Sequence, residues 1–137
     1  MSEHPTQPES WTEDEARAYL PRLKVLVAIV RRTVQITARA RGNGHSKTLE
    51  EVAEQEVREN GADSVYEMST KDALDELAGR GIILRDLERG LVDFPSRSSN
   101  GRAVLLCWQA GEDDLGWWHL PEDGYAGRRP LPLPPEL

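Results

Sequence analysis

Cysteine is almost missing from this 137-residue chain: Cys107 stands alone, so no disulfide can close within one copy and no second thiolate completes a zinc-finger spacing. That usage suits a reducing compartment, and a cytoplasmic location is the expectation. Long apolar runs are missing too. The most apolar stretch, 20–34, carries Arg22, Lys24, Arg31 and Arg32, whereas a bilayer span needs roughly 20 predominantly apolar residues. After Met1 the rest of the first ten residues are polar or proline where a signal peptide would hold its apolar segment, so export by that route is not expected.

Acids are absent from 17 to 41, where seven Lys or Arg fall; the stretch from 49 to 78 reverses the balance, with ten Asp or Glu against Arg58 and Lys71. If both stretches are helices folded back about Gly42-Asn43-Gly44, opposite charges line the two flanks of one apolar seam. Each exposed pair contributes only about 0–1 kcal/mol, so the pattern bears on orientation and partner choice more than on stability. The net charge of −7 repels nucleic acid overall, and the acidic stretch competes for the same arginines that would contact phosphates. With no helix-turn-helix, zinc-finger or aromatic RNA-binding pattern, the sequence argues against a nucleic-acid partner.

The first helix announces itself. Thr12 and Glu15 form a capping box, each side chain satisfying a free backbone N–H at the helix start. Pro21 lacks an N–H, and a break is expected there, with a new helix beginning at Pro21. Beyond it Leu20, Leu23, Val27, Val30 and Val34 repeat at helical spacing, and Leu26, Ile29, Thr33 and Ile36 trace a second seam. So wide a face needs more than one partner surface, and a homodimer through the helices is the expectation. A second capping box, Thr48 and Glu51, opens the acidic helix; Asn60-Gly61 interrupts it, and Gly79 and Gly81 stop it.

From Ile82 the period shortens. Apolar runs at 82–87, 91–94, 103–108 and 116–120, separated by turn residues, read as an antiparallel meander. The fold class expected is α+β: a long antiparallel helical hairpin followed by a small antiparallel β-meander. The expected organisation is a disordered N-terminus over 1–10, a single domain over 11–129 (helical over 11–81, sheet and loop over 82–129), and a proline-rich tail over 130–137 that is either a loose end or a segment for a protein partner's aromatic groove.

The last third concentrates the chemistry-bearing residues. Trp108, Trp117 and Trp118 stand among Asp93, Glu112, His119, Tyr125, Arg128 and Arg129. Asp93, Glu112 and His119 are the types that hold a divalent metal, each in or beside a different expected strand. The same trio could act in acid/base chemistry, with Arg128 holding an anionic substrate. The plainer reading has Asp93 and Glu112 stabilising turns or pairing with Arg128, and His119 satisfied by the backbone beside Trp118. Trp108 is a ligand-stacking candidate, although tryptophans in a small sheet commonly form core. Cys107, between Leu106 and Trp108, reads as an inert packed thiol.

Gly-Leu-Val-Asp-Phe-Pro (90–95), Leu-Cys-Trp (106–108), Gly111-Glu112, Trp118-His119 and Gly-Arg-Arg-Pro-Leu (127–131) resemble an uncharacterised prokaryotic family, the domain of unknown function numbered 2203. Trp11-Thr12, Glu15-Ala16 and Leu20-Pro21 match its N-terminal segment. The resemblance implies a small bacterial protein of helices followed by Asp-Phe-Pro, Cys-Trp and Trp-His elements, and it implies no activity. On all these grounds a non-enzymatic binding or assembly module is expected; the alternative is a metal-dependent or acid/base enzyme using the C-terminal Asp/Glu/His site.

Overall fold

The structure is a computed structural model that describes residues 10–42 and 68–137. The expected disordered N-terminus, the Thr48–Glu51 capping box and the Asn60-Gly61 interruption lie wholly or almost wholly outside those residues.

Helix α1 (Glu13–Gly42) starts where the capping box puts it, with Thr12 N donating to Glu15 Oε1 and Glu15 N donating to Thr12 Oγ1, both at 3.0 Å. The break expected at Pro21 does not occur, and α1 runs through it. A proline inside a helix costs about 3 kcal/mol. Pro21 lies on the exposed side, while Leu20, Leu23, Leu26, Val27 and Val30 form one buried stripe across it. Each such side chain gains about 1.5–3 kcal/mol on burial, so the stripe outweighs the missing hydrogen bond.

Helix α2 (Thr70–Gly79) is capped by Ser69, whose hydroxyl accepts from Asp72 N. It packs antiparallel to α1: Thr33 meets Thr70 through their hydroxyls, and Arg22 and Tyr19, further back along α1, meet Glu76 further on in α2. Arg22 reaches α2 through an ion pair with Glu76. Arg17 bonds Glu13 and Asp114, and Lys24 bonds the Asp113 carbonyl, so the positive charge of α1 also serves the sheet.

Strands β1 (Ile83–Asp86), β2 (Leu91–Arg97), β3 (Ala103–Gln109), β4 (Trp117–His119) and β5 (Arg129–Pro130) form one antiparallel sheet in sequence order. The fold is α+β. Val92, Phe94, Val104, Leu106, Trp108 and Trp118 point to the helices and join Leu23, Leu26, Val27, Ala73 and Leu77 in a single core. The sheet therefore supplies, within one chain, the second surface that the wide α1 seam requires. Strand β5 and the tail depart from expectation: Leu131 N donates to Gly116 O, Ser98 Oγ donates to Leu137 O, and Leu131, Leu133 and Leu137 pack on the core. Alternating Leu and Pro lets the chain bury one side chain in two without spending N–H groups in a ladder. Among the described residues no helix is long and apolar enough to cross a membrane.

The Glu76 contacts make a pH prediction. Hydrogen bonds from Arg22 and then Tyr19 hold the Glu76 carboxyl down to about 2, against 4.5 for an ordinary glutamate. A depressed carboxyl stabilises the fold above its unfolded value and loses that contribution as pH falls through the folded one. Glu76→Gln is expected to lower stability by about 1 kcal/mol at pH 7, because Arg22 is half exposed and screened. The deficit should shrink from pH 4.5 to about 2 and vanish below, as read by urea unfolding at each pH.

Candidate functional site

Two faces of one sheet have different tasks. Residues of even number on β2 and β3 enter the core; those of odd number point the other way, under the loop that follows β4. In that direction Asp93 stands directly opposite Cys107, and His119, paired with Leu105, is the diagonal neighbour on the next strand. Side chains opposite one another on one face of an antiparallel sheet lie about 4.5–5.5 Å apart at Cβ, so the register alone brings these three together.

All three are buried: Asp93 is 1% exposed, His119 4% and Cys107 0%. One Asp93 oxygen lies 3.0 Å from His119 Nε2, and the other accepts from Arg85 Nε at 2.8 Å. Arg85 reaches it through a register shift between Leu84 and Asp86, a bulge that re-aims the side chain. His119 Nδ1 lies 2.9 Å from the Leu120 carbonyl, so both ring nitrogens face protein acceptors. Burial, followed by the Asp93 charge, pushes the Cys107 thiol up to about 12. Above the trio is a cavity of about 260 Å³ whose walls include Arg85, Leu91 and the loop from Pro121 to Tyr125.

The residues singled out in the sequence divide. Asp93 and His119 converge. Glu112 does not join them: its Oε1 accepts from Gln109 N at 2.9 Å and from Arg128 at 2.8 Å, fixing the turn after β3. The third donor of the cluster is instead Cys107, and the ligand atoms of Asp93, Cys107 and His119 all lie within 4.8 Å of one another. Trp108 is 2% exposed on the helix side, where its indole N–H donates to the Glu112 carbonyl at 3.0 Å; it is core, facing away from Asp93. Arg128 is a wall of the polar side, stacked 4.8 Å from the Trp117 ring centroid and 5.0 Å from that of Tyr125. Its Nε is buried with no hydrogen-bond partner among the described residues.

Sequence reading passed over Arg85 and set Cys107 aside as an inert packed thiol. The signal for Cys107 was available in the strand period, since a residue's sequence neighbours occupy the opposite face and Leu106 and Trp108 say nothing about its surroundings. Arg85 depends on a bulge that has no sequence signature here.

No curated protein and no solved structure matches this chain. The elements that build the site, from the capped start of α1 to the pairing of β5, fall within the stretch 9–131 matched by the family model "Uncharacterized conserved protein (DUF2203)", and the chain belongs to that family.

Proposed function

We propose that this protein is a non-enzymatic binding module of the bacterial cytoplasm, and that it takes a small cation-bearing ligand into the cavity over Asp93. The observation that carries the reading is the buried Asp93 carboxylate at the base of that cavity, whose described lining sets Asp93, Glu122 and Asp123 against Arg85. An enclosed carboxylate attracts a positive group more strongly than the same pair would in water. Two further features favour binding over acid/base or nucleophilic catalysis. A general base needs a nitrogen aimed at the substrate, and both nitrogens of His119 are turned to protein oxygens. A nucleophilic cysteine needs a lowered pKa, and burial raises that of Cys107.

The test is an NMR titration of the full chain with methylguanidinium, using sodium chloride at equal ionic strength as the reference. Saturable shifts at the Asp93, Cys107 and His119 amides are expected, weakened about tenfold or more in Asp93→Asn, which equals roughly 1.4 kcal/mol. If neither methylguanidinium nor a divalent metal gives a saturable response there, the reading fails. For the helices, a homodimer remains the proposed arrangement, supported by Val25 and Ile36, exposed on α1 about three turns apart and so on one stripe. Light scattering at micromolar concentration measures it.

A further inference from the structure

We infer that Asp93, Cys107 and His119 form a site for a zinc-class divalent transition metal, with one coordination position open to the cavity. The inference rests on the reading of that cavity as a cation site and narrows the cation to a metal bound through oxygen, sulfur and nitrogen.

The hydrogen-bonding of His119 is the first argument. Both ring nitrogens face oxygens, and a neutral imidazole has one N–H to give; in the tautomer whose Nδ1–H donates to the Leu120 carbonyl, Nε2 keeps a lone pair that faces an Asp93 oxygen at 3.0 Å. Two acceptors at that distance repel unless something positive lies with them. A metal bound by both atoms removes that repulsion and also brings in the third donor, Cys107, whose sulfur lies within 4.8 Å of both. A histidine held through Nδ1 by a backbone carbonyl, and a carboxylate held through its second oxygen by Arg85, are the outer-shell contacts that orient metal ligands.

Distances agree. Zinc–ligand bonds of roughly 2.0–2.3 Å set tetrahedral donors about 3.3–3.8 Å apart. The Asp93–His119 separation of 3.0 Å is near that, and the remaining donor separations, within 4.8 Å, close by small side-chain rotations. The donor set decides the class of ion. Calcium and magnesium take oxygen ligands, whereas mixed thiolate, imidazole and carboxylate suits zinc and, as a substitute, cobalt. On binding, the Cys107 thiol gives its proton to solvent and its sulfur to the metal, so two ligand charges balance the ion. The thiolate so formed also offers an acceptor to its neighbour Arg128, whose buried Nε has none among the described residues.

The full chain, dialysed against chelator, is titrated with cobalt(II) and then zinc(II). Expected are a thiolate-to-cobalt charge-transfer band and visible bands of tetrahedral intensity at one equivalent, bleached by zinc. Cys107→Ser should lose the charge-transfer band. His119→Ala should bind zinc at least about a hundredfold more weakly, since even outer-shell losses cost 10–100-fold. Glu112→Gln should bind as the wild type does. Metal-free urea unfolding of each variant verifies that it is folded, and a Cys107→Ala variant replaces Cys107→Ser if the latter is not. The inference is overturned if no charge-transfer band appears at saturating cobalt, or if it survives loss of Cys107. Saturable, Asp93-dependent binding of methylguanidinium without a cobalt band overturns the metal site and leaves the cation-binding module standing; silence in both titrations overturns both.

Discussion

Replacing Asp93 with alanine is expected to lower stability by about 1–3 kcal/mol in chelator at neutral pH, the cost of leaving a buried hydrogen-bonding group without its partner. Asp93 is 1% exposed and bonds two groups at once, His119 Nε2 and Arg85 Nε. Arg85 is about half exposed and can turn to water, so little of the loss arises there. His119 cannot: its side chain is 5% exposed, and alanine leaves Nε2 facing a void. Asparagine separates shape from charge. Its amide can keep a hydrogen bond to Nε2 while the carboxylate charge is lost, so Asp93→Asn should cost about half as much as alanine. Urea unfolding of the three proteins gives both numbers. Equal losses for alanine and asparagine would mean that the negative charge, rather than the hydrogen bond, holds the pair together; a loss under about 0.5 kcal/mol for alanine would place Asp93 among ordinary surface groups.

The same residues show where sequence reading succeeds and where it stops. Local signals transferred well: Thr12 and Glu15 cap α1 as their spacing predicts, and apolar runs and turn glycines located β1 to β4 within a few residues. What failed was non-local. A break at Pro21 follows from local chemistry, yet the burial of Leu20 and Leu23 on either side is decided by strands some seventy residues later in the chain. Strand β5 forms two residues of pairing around a proline, too short and too proline-bound for any periodic signal.

For the polar face, residue type identified Asp93 and His119, but register chose their companion. Glu112 has the chemistry of a ligand and sits in a turn, where its nearest donors, Gln109 N and Arg128, take it. Cys107 looks inert beside Leu106 and Trp108, and becomes a donor once it is paired with Asp93 across the ladder. A strand gives each residue two environments in alternation, and only the pairing partner tells which residues share one of them.

Gly90→Ala is expected to cost about 2–4 kcal/mol, and the reason lies in the seat of α1 on the sheet. Gly90 closes the turn from β1 to β2 at φ +66°, a region that costs a residue with a Cβ roughly 1–2 kcal/mol. Its backbone is also pressed between two elements: an added Cβ would stand 2.7 Å from Ala110 Cβ and 2.8 Å from Val27 Cγ1. Such contacts are too short to keep, and forcing an extra methyl into a packed core costs about 1–3 kcal/mol more. The neighbours have little room to yield. Ala110 N donates to Gly90 O at 3.0 Å, and Val27, 1% exposed, belongs to the stripe that holds α1 to the sheet. Relief should therefore come from the helix side. In the double variant Gly90→Ala, Val27→Ala the losses should fall short of additivity by about 0.5–2 kcal/mol, within the usual range for residues in contact. Urea unfolding of the single and double variants measures this directly. Full additivity would assign the whole penalty to the positive φ, and would mean that α1 can shift on the sheet without cost.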